Sequence, residues 1–258
     1  MKNCLIGHTG FVGSTLLRQT QFDELYRSTN IHEIINKNFN FVVCAGAPAQ
    51  KWIANINPGE DKKNIDSLID YLKTIQCNIF ILISTVDVFK MPIEVDETTA
   101  VEEEGLHAYG LHRRFLEKFV EEHFSKHLIV RLPGLVGPGL RKNVIFDFLN
   151  NNKLNVIDSR GVFQFYPMVN LWHDIQTSIR GGLQLVHLTA EPVSVAEVSL
   201  RGFGRMFTQE LKGLPARYDV QTCYSELFET RGRHQYSVRE TVQAIRAYVQ
   251  SEPVTIKN

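Results

Sequence analysis

Cysteine is scarce in this sequence. There are four in 258 residues, Cys4, Cys44, Cys77 and Cys223, and no two stand in a CxxC spacing. That scatter argues against both a disulfide framework and a zinc site, and it fits reduced thiols in a cytoplasmic setting. Long apolar runs are missing as well. None approaches the roughly 18 residues that a bilayer span needs, so no membrane partner is expected. Neither sign of charge is in excess, because Lys+Arg and Asp+Glu number 28 each. A broad nucleic-acid footprint needs a basic face, so nucleic acid is not an expected partner. The opening residues form a short strand-like run followed by glycines, without the long apolar stretch and cleavage site of a secretory leader. There is no repeat and no low-complexity block.

What is present is a 43% hydrophobic content, ample for a sizeable core, and a regular alternation of patterns. Residues 3–6 and 39–45 are apolar runs of strand length. The second contains Val42 and Val43, as in a strand buried on both faces. Residues 11–20 carry Val12, Leu16 and Leu17 on one helical stripe. In residues 61–73, Ile65, Leu68, Ile69 and Leu72 recur at helical spacing. Further strands are expected at 23–29, 79–83 and 127–132, a helical turn or two at 31–36, and a long helix at 106–124. Strands alternating with helices predict an α/β, Rossmann-type doubly wound parallel sheet with right-handed crossovers. After Pro133 the pattern loosens. Helices are expected at 144–150, 193–207 and 238–250, an extended stretch at 163–169 and a strand at 185–188. The reading is a sheet domain over 1–133, rejoined at about 183–190, and a smaller C-terminal lobe over 134–182 and 191–258.

GHTGFVG, residues 7–13, follows a strand and opens a helix. In that context Gly7 permits a tight turn and Gly10 leaves room for a pyrophosphate to approach the backbone. Gly13 allows close helix–sheet packing, and the helix amino end favours the anion. The sheet domain is therefore expected to bind a nicotinamide dinucleotide. The end of the second strand reads the adenosine ribose: an acid there suits a 2′-hydroxyl and an arginine a 2′-phosphate. Here the segment runs through Arg27 and Ser28 with no acid at its end. This favours NADP and leaves NAD open. His8 is a further candidate for the phosphate region.

Ser84 and Thr85 close the strand expected at 79–83, at the edge where open α/β sheets bind ligands. Tyr109 and Arg113 stand at i and i+4 of the long helix and so share a face. A guanidinium near a phenol favours the phenolate. Such a phenol can exchange a proton with a substrate hydroxyl, with Thr85 orienting the oxygen.

GHTGFVG, STVDVF and AYGLHRRFLE, in this order and spacing, resemble the extended short-chain dehydrogenase/reductase family of nucleotide-sugar epimerases, dehydratases and reductases. STVDVF is similar to the STDYVF-type segment of dTDP-4-keto-rhamnose reductases, and VRLPGLVGPG resembles the RxxxxYGPG stretch beyond the catalytic helix. The resemblance runs from residue 1 to about 200. It implies that Thr85 holds the reacting oxygen, that Tyr109 is the acid/base of a YxxxK motif, and that Arg113 replaces its lysine. That lysine would both hold the nicotinamide ribose and lower the tyrosine pKa. Arginine keeps the charge and changes the contacts, with His112 or Arg114 as candidates to compensate. The implied cofactor contacts are Gly7, Thr9, Gly10, Phe11, Val12, Gly13, Arg27, Ser28, Ala45, Gly46, Tyr109 and Arg113. The implied substrate contacts are Thr85, Asp87, Arg141 and Asn143.

Three functions stay open at this point. The first is an NAD(P)-dependent oxidoreductase or epimerase acting on a sugar, in nucleotide-linked form. The second is a cofactor-binding regulatory protein with impaired catalysis, motivated by Arg113. The third is a reductase of a non-sugar carbonyl, kept open by Gln164, which stands where the family often has an arginine. Phe163, Phe165 and Tyr166 read as lobe core, and Glu102 to Glu104 as a solvated acidic turn. Trp172, His173 and Asp174 form no metal site by themselves, and none is expected. The stripe at Phe115, Phe119 and Val120 serves the core or a homodimer.

Overall fold

The computed structural model describes residues 1–254. Two compact units emerge. One is Met1–Lys90, Thr99–Arg131 and Trp172–Val186, and the other is Met91–Thr98, Leu132–Leu171 and His187–Asn258. Residues 171–180, expected in the smaller lobe without assigned structure, form a helix, Leu171–Arg180, that falls with the sheet unit from Trp172 onward. There the Trp172 ring packs on Phe22 and Phe41.

The sheet unit is built on β1 (Lys2–Ile6), β2 (Glu24–Tyr26), β3 (Asn38–Cys44), β4 (Gln76–Thr85), β5 (His127–Leu132) and β6 (Leu185–His187), in the order β6-β5-β4-β3-β1-β2. β1 pairs in parallel with both β2 and β3, and β3 with β4. The order reverses at β1, which puts the switch point at the carboxyl ends of β1 and β3, where open sheets take ligands. The helices are α1 (Phe11–Gln19), α2 (Lys51–Ile56), α3 (Pro58–Leu72) and α4 (Ala108–His123). Strand residues alternate between faces. Cys4, Ile6, Val42, Cys44, Phe80 and Leu82 share one core with Ile65, Leu68, Ile69 and Leu72 of α3 and Leu116 and Val120 of α4. The alternate residues Leu5, Val43 and Ile81 are buried too, so the middle strands are covered on both sides, as their continuous apolar runs require.

The elements follow the expected α/β order, with several differences. α2 has no sequence signal: it has six residues, and Trp52 and Ile56 on it are exposed. α3 starts earlier than expected, with Pro58 in its first turn, where a missing N–H costs nothing. The helix expected over 193–207 does not form as one piece. Val193–Ser194 pairs with Val162–Phe163 as a short antiparallel ladder. A single helical turn, Val195–Glu197, then widens into π-helix over Val198–Gly202. Gly204, with φ at +68°, closes it.

The second unit is stitched by short pairings and buried polar contacts. Gly134–Val136 pairs with Phe165–Pro167, and Asp219–Val220 with Ile93–Val95. Gln164, fully buried, donates from Nε2 to Thr189 Oγ1, Ala190 O and Val220 O and accepts from the Val220 N–H. The helix Val238–Ser251 begins with a reciprocal capping box between Ser237 and Glu240.

Candidate active site

The glycine turn closes β1 onto α1. Gly7 has φ at +84°, and a Cβ there would lie 2.3 Å from the Ala45 carbonyl oxygen. A Cβ on Gly13 would lie 2.2 Å from the Gly7 carbonyl oxygen, so α1 and β1 approach as only glycines allow. Gly10 differs: the nearest atom to a Cβ there is 3.5 Å away, so its bareness serves nothing inside the protein. It is the N-cap of α1, no side chain caps the helix, and its first turn holds no acid. An uncapped nine-residue helix, fronted by an exposed glycine, presents its amino end to an anion. Thr9 is exposed, and Phe11 and Val12 are half-buried beside it. These residues fit the pyrophosphate of a dinucleotide.

Ala45 and Gly46 follow β3, and the Ala45 N–H donates to Ile6 O at 2.9 Å. Arg27 and Ser28 lie just past β2, both exposed. The Arg27 N–H donates to Asn30 Oδ1 at 2.8 Å, which fixes the turn and leaves the side chain outward. His8 Nδ1 lies 3.0 Å from the Tyr26 carbonyl, which only accepts, so the ring proton sits on Nδ1.

β4 ends in Ser84 and Thr85, and α4 begins one residue before Tyr109. The Thr85 side chain accepts the Asp87 N–H at 3.1 Å and favours the ionised form of the Tyr109 phenol. The Tyr109 N–H is capped by Asn55 Oδ1 at 3.0 Å. Arg113 lies under the ring, its guanidinium carbon 4.0 Å from the centroid. Burial raises the Tyr109 pKa above its ordinary value. Arg113 pulls it down, as expected of a guanidinium beside a phenol, but burial outweighs it and the net shift is upward.

Arg113 itself is 3% exposed and held by groups far off in sequence. Nη1 and Nη2 form a fork on Asp61, the Nη2 bond to Oδ1 being 2.9 Å, and Nη2 also donates to Pro48 O. Burial pushes the Asp61 carboxyl up, but the hydrogen bonds from Arg113 and His112 outweigh it and hold it below the usual range. His112 Nδ1 is 2.7 Å from Asp61 Oδ2. Arg114 pairs instead with Glu117 and Glu121. Neither neighbour is directed to Tyr109, so neither compensates for the motif lysine. Glu117, wholly buried, also takes Arg131 at 2.7 Å and Ser84 Oγ at 2.6 Å, a polar brace behind the end of β4.

Three residues beside Tyr109 carried no sequence signal. Lys51, at the start of α2, places Nζ 2.8 Å from Asp87 Oδ1. Asp61 reaches Arg113 across 52 positions. His107 caps α4, its Nδ1 accepting the Gly110 N–H at 3.0 Å, which leaves its proton on Nε2. Burial lowers the His107 pKa, Lys51 adding to this and Asp87 opposing, so the ring is neutral at pH 7. A cap of this kind is written only as "His two before Tyr", and nothing links Lys51 or Asp61 to 109 in the sequence.

Of the other expected residues, Arg141 and Asn143 belong to the second unit. The Asn143 amide is a helix cap: Oδ1 accepts from Ile145 and Phe146 N–H, and Nδ2 donates to Leu135 O.

Together, a doubly wound parallel sheet, a glycine turn at its switch point and a Thr–Tyr pair at a strand's carboxyl end define a Rossmann-type fold. No family model matches the chain, and no curated protein matches it in sequence. Solved structures match over nearly its whole length. RMD from Pseudomonas aeruginosa, complexed with NADPH, superposes with a TM-score of 0.74 at 14% identity over 97% of this chain and 99% of that one. A dTDP-4-dehydrorhamnose reductase from Yersinia enterocolitica gives 0.71 at 14% identity, covering 97% and 99%. A UDP-glucuronic acid 4-epimerase variant from Bacillus cereus, with NAD and UDP-4-deoxy-4-fluoro-glucuronic acid, gives 0.68 at 14% identity, covering 97% and 99%. At these identities the likeness establishes the fold, and it agrees with the resemblance in the motifs.

Proposed function

We propose that the protein is an NAD(P)-dependent oxidoreductase or epimerase of the extended short-chain dehydrogenase/reductase family, acting on a sugar, nucleotide-linked in the native substrate. The observation that carries this is an uncapped, glycine-fronted α1 in the same unit as Thr85, at the carboxyl end of β4, and Tyr109, in the first turn of α4. The neighbours of the fold are sugar reductases and epimerases described with NADPH or NAD, which supports the same class.

Gly7, Gly10 and Gly13 with the amino end of α1 would hold the pyrophosphate, and Ala45 and Gly46 the adjoining chain. The exposed Arg27 and Ser28 favour a 2′-phosphate, hence NADP, with NAD the weaker ligand. The nicotinamide supplies the hydride acceptor or donor. Tyr109 moves the proton at the substrate oxygen, and Thr85 orients that oxygen. The raised phenol pKa keeps Tyr109 protonated at neutral pH, ready to act as an acid. Free thiols and the lack of a membrane-crossing helix among the described residues are in keeping with a cytoplasmic enzyme.

Tyr109→Phe tests this: turnover of a 4-keto sugar nucleotide with NADPH should fall by at least about 100-fold, with NADPH affinity within about twofold of wild type. Intact turnover in that variant would exclude the mechanism. The locked guanidinium of Arg113 favours a second reading, a cofactor-binding protein without turnover. That reading expects NADPH binding with no hydride exchange in the wild type.

A further inference from the structure

A guanidinium has five N–H groups. In Arg113, Nη1 serves Asp61 and the Tyr109 carbonyl, and Nη2 serves Asp61 and the Pro48 carbonyl. The remaining Nε is buried and meets no acceptor. An arginine does not release its proton in a protein. Arg113 is therefore a fixed charge beneath the ring, already answered by a carboxylate, and it has no accessible donor to offer.

Lys51 stands on different ground. It shares a face of α2 with Asn55, one turn on, and Asn55 accepts the backbone N–H of Tyr109 itself. Its side chain is 39% exposed, and its Nζ lies 2.8 Å from Asp87 Oδ1. The Asp87 N–H is on Thr85 Oγ1, and the Asp87 carbonyl packs against Gly110, the neighbour of Tyr109, so closely that a Cβ on Gly110 would collide with it. A line of contacts thus runs from a part-exposed lysine through Asp87 to the first turn of α4, which carries Tyr109.

We propose that the Lys51–Asp87 ion pair is the adjustable charge of this centre, Lys51 supplying on the Thr85 side the positive charge that Arg113 supplies only from beneath the ring. The inference deepens the function proposed above and rests on it for its catalytic meaning. Lys51 is a positioning residue, because it acts on Tyr109 through charge and through Asp87. The charged and titratable groups around the phenol are Arg113 on α4, the neutral His107 that caps α4, Lys51 on α2 and Asp87 after β4. Asp61 on α3 reaches it only through Arg113. In this set Lys51 favours the phenolate and Asp87 opposes it.

The two halves of the pair should therefore move the phenol in opposite directions. The test places difluorotyrosine, whose phenol ionises at lower pH than tyrosine's, at position 109 and follows its ionisation by fluorine NMR without cofactor. K51M should raise the midpoint and D87N should lower it, each by at least about half a pH unit, a threefold change in proton affinity. K51R, which keeps the charge, should stay close to the parent. A merely structural role for Lys51 would not produce opposite shifts. No shift in either variant, or shifts of the same sign, would overturn the proposal. Turnover is read separately: the pH profile of kcat in K51M should move alkaline by the same amount, with the Kd for NADPH within about twofold of the parent. If the phenol responds as stated while the wild type binds no dinucleotide, the enzyme reading fails and the ion-pair inference stands.

Discussion

Tyr109 is held by two kinds of contact, and each can be removed alone. Its backbone N–H meets Asn55, and its ring lies on Arg113. The last depends on Asp61, which is 5% exposed and answers the guanidinium and His112 together. Asp61→Asn leaves a buried cation without its carboxylate, which typically costs about 3–5 kcal/mol. Urea denaturation should show that loss, and a variant as stable as wild type would mean that Arg113 finds another anion. The glycine turn offers a cleaner separation of fold from function. Gly13→Ala drives a Cβ against the Gly7 carbonyl, and overpacking of that kind costs about 1–3 kcal/mol. Gly10→Ala meets nothing closer than 3.5 Å, at a φ of −74° that alanine accepts. Its melting temperature should stay within about 2 °C of wild type, since surface changes cost about 0.5 kcal/mol or less.

Among the elements, β2 is the least secure, a three-residue edge strand. Glu24 ties it down: its carboxylate takes Lys2 at 2.8 Å, Lys37 at 2.9 Å and the Tyr26 hydroxyl. Hydrogen bonds from Lys2, Tyr26 and Lys37 lower its pKa from 4.5 to about 2. The folded value lies below the unfolded one, so the stabilisation is complete above about pH 4.5 and is lost as the pH falls toward 2. Glu24→Gln should flatten the dependence of stability on pH in that window and leave the slope above pH 5 unchanged. An unaltered acid slope would show that Glu24 does not anchor the strand. Elements such as β3 and α3 were legible because a buried strand needs an unbroken apolar run and a packed helix needs its stripe. α2 was not, since six residues capping the end of another helix need no stripe of their own. The segment after Val193 misled in the other direction. Its helical spacing is real, but Val193 and Ser194 are drawn into a ladder with Phe163 and Val162, and tertiary pairing overrides local preference.

At the scale of the molecule, the sheet unit followed from alternation alone, while its boundaries did not. The chain leaves the sheet unit for Met91–Thr98 and returns to it for Trp172–Val186, exchanges that no composition shift marks. The candidate site could be proposed from sequence where one segment carries it, as in the glycine turn, Thr85, Tyr109 and Arg113. It was illegible where the partner comes from afar, as with Lys51 and Asp61, because a contact across tens of residues leaves no local pattern. If Arg27 reads a 2′-phosphate, Arg27→Ala should weaken NADPH about tenfold, near 1.4 kcal/mol, and leave NADH unchanged. Equal losses for both would assign Arg27 to the turn and not to the ligand. All of this depends on a dinucleotide resting on the amino end of α1, and calorimetric titration of wild type and Gly10→Ala with NADPH tests that most directly. The account expects saturable binding of one equivalent by the wild type and a loss of at least about tenfold in the variant, with its melting temperature unmoved. No heat of binding at millimolar NADPH or NADH, or equal binding by both proteins, would contradict it.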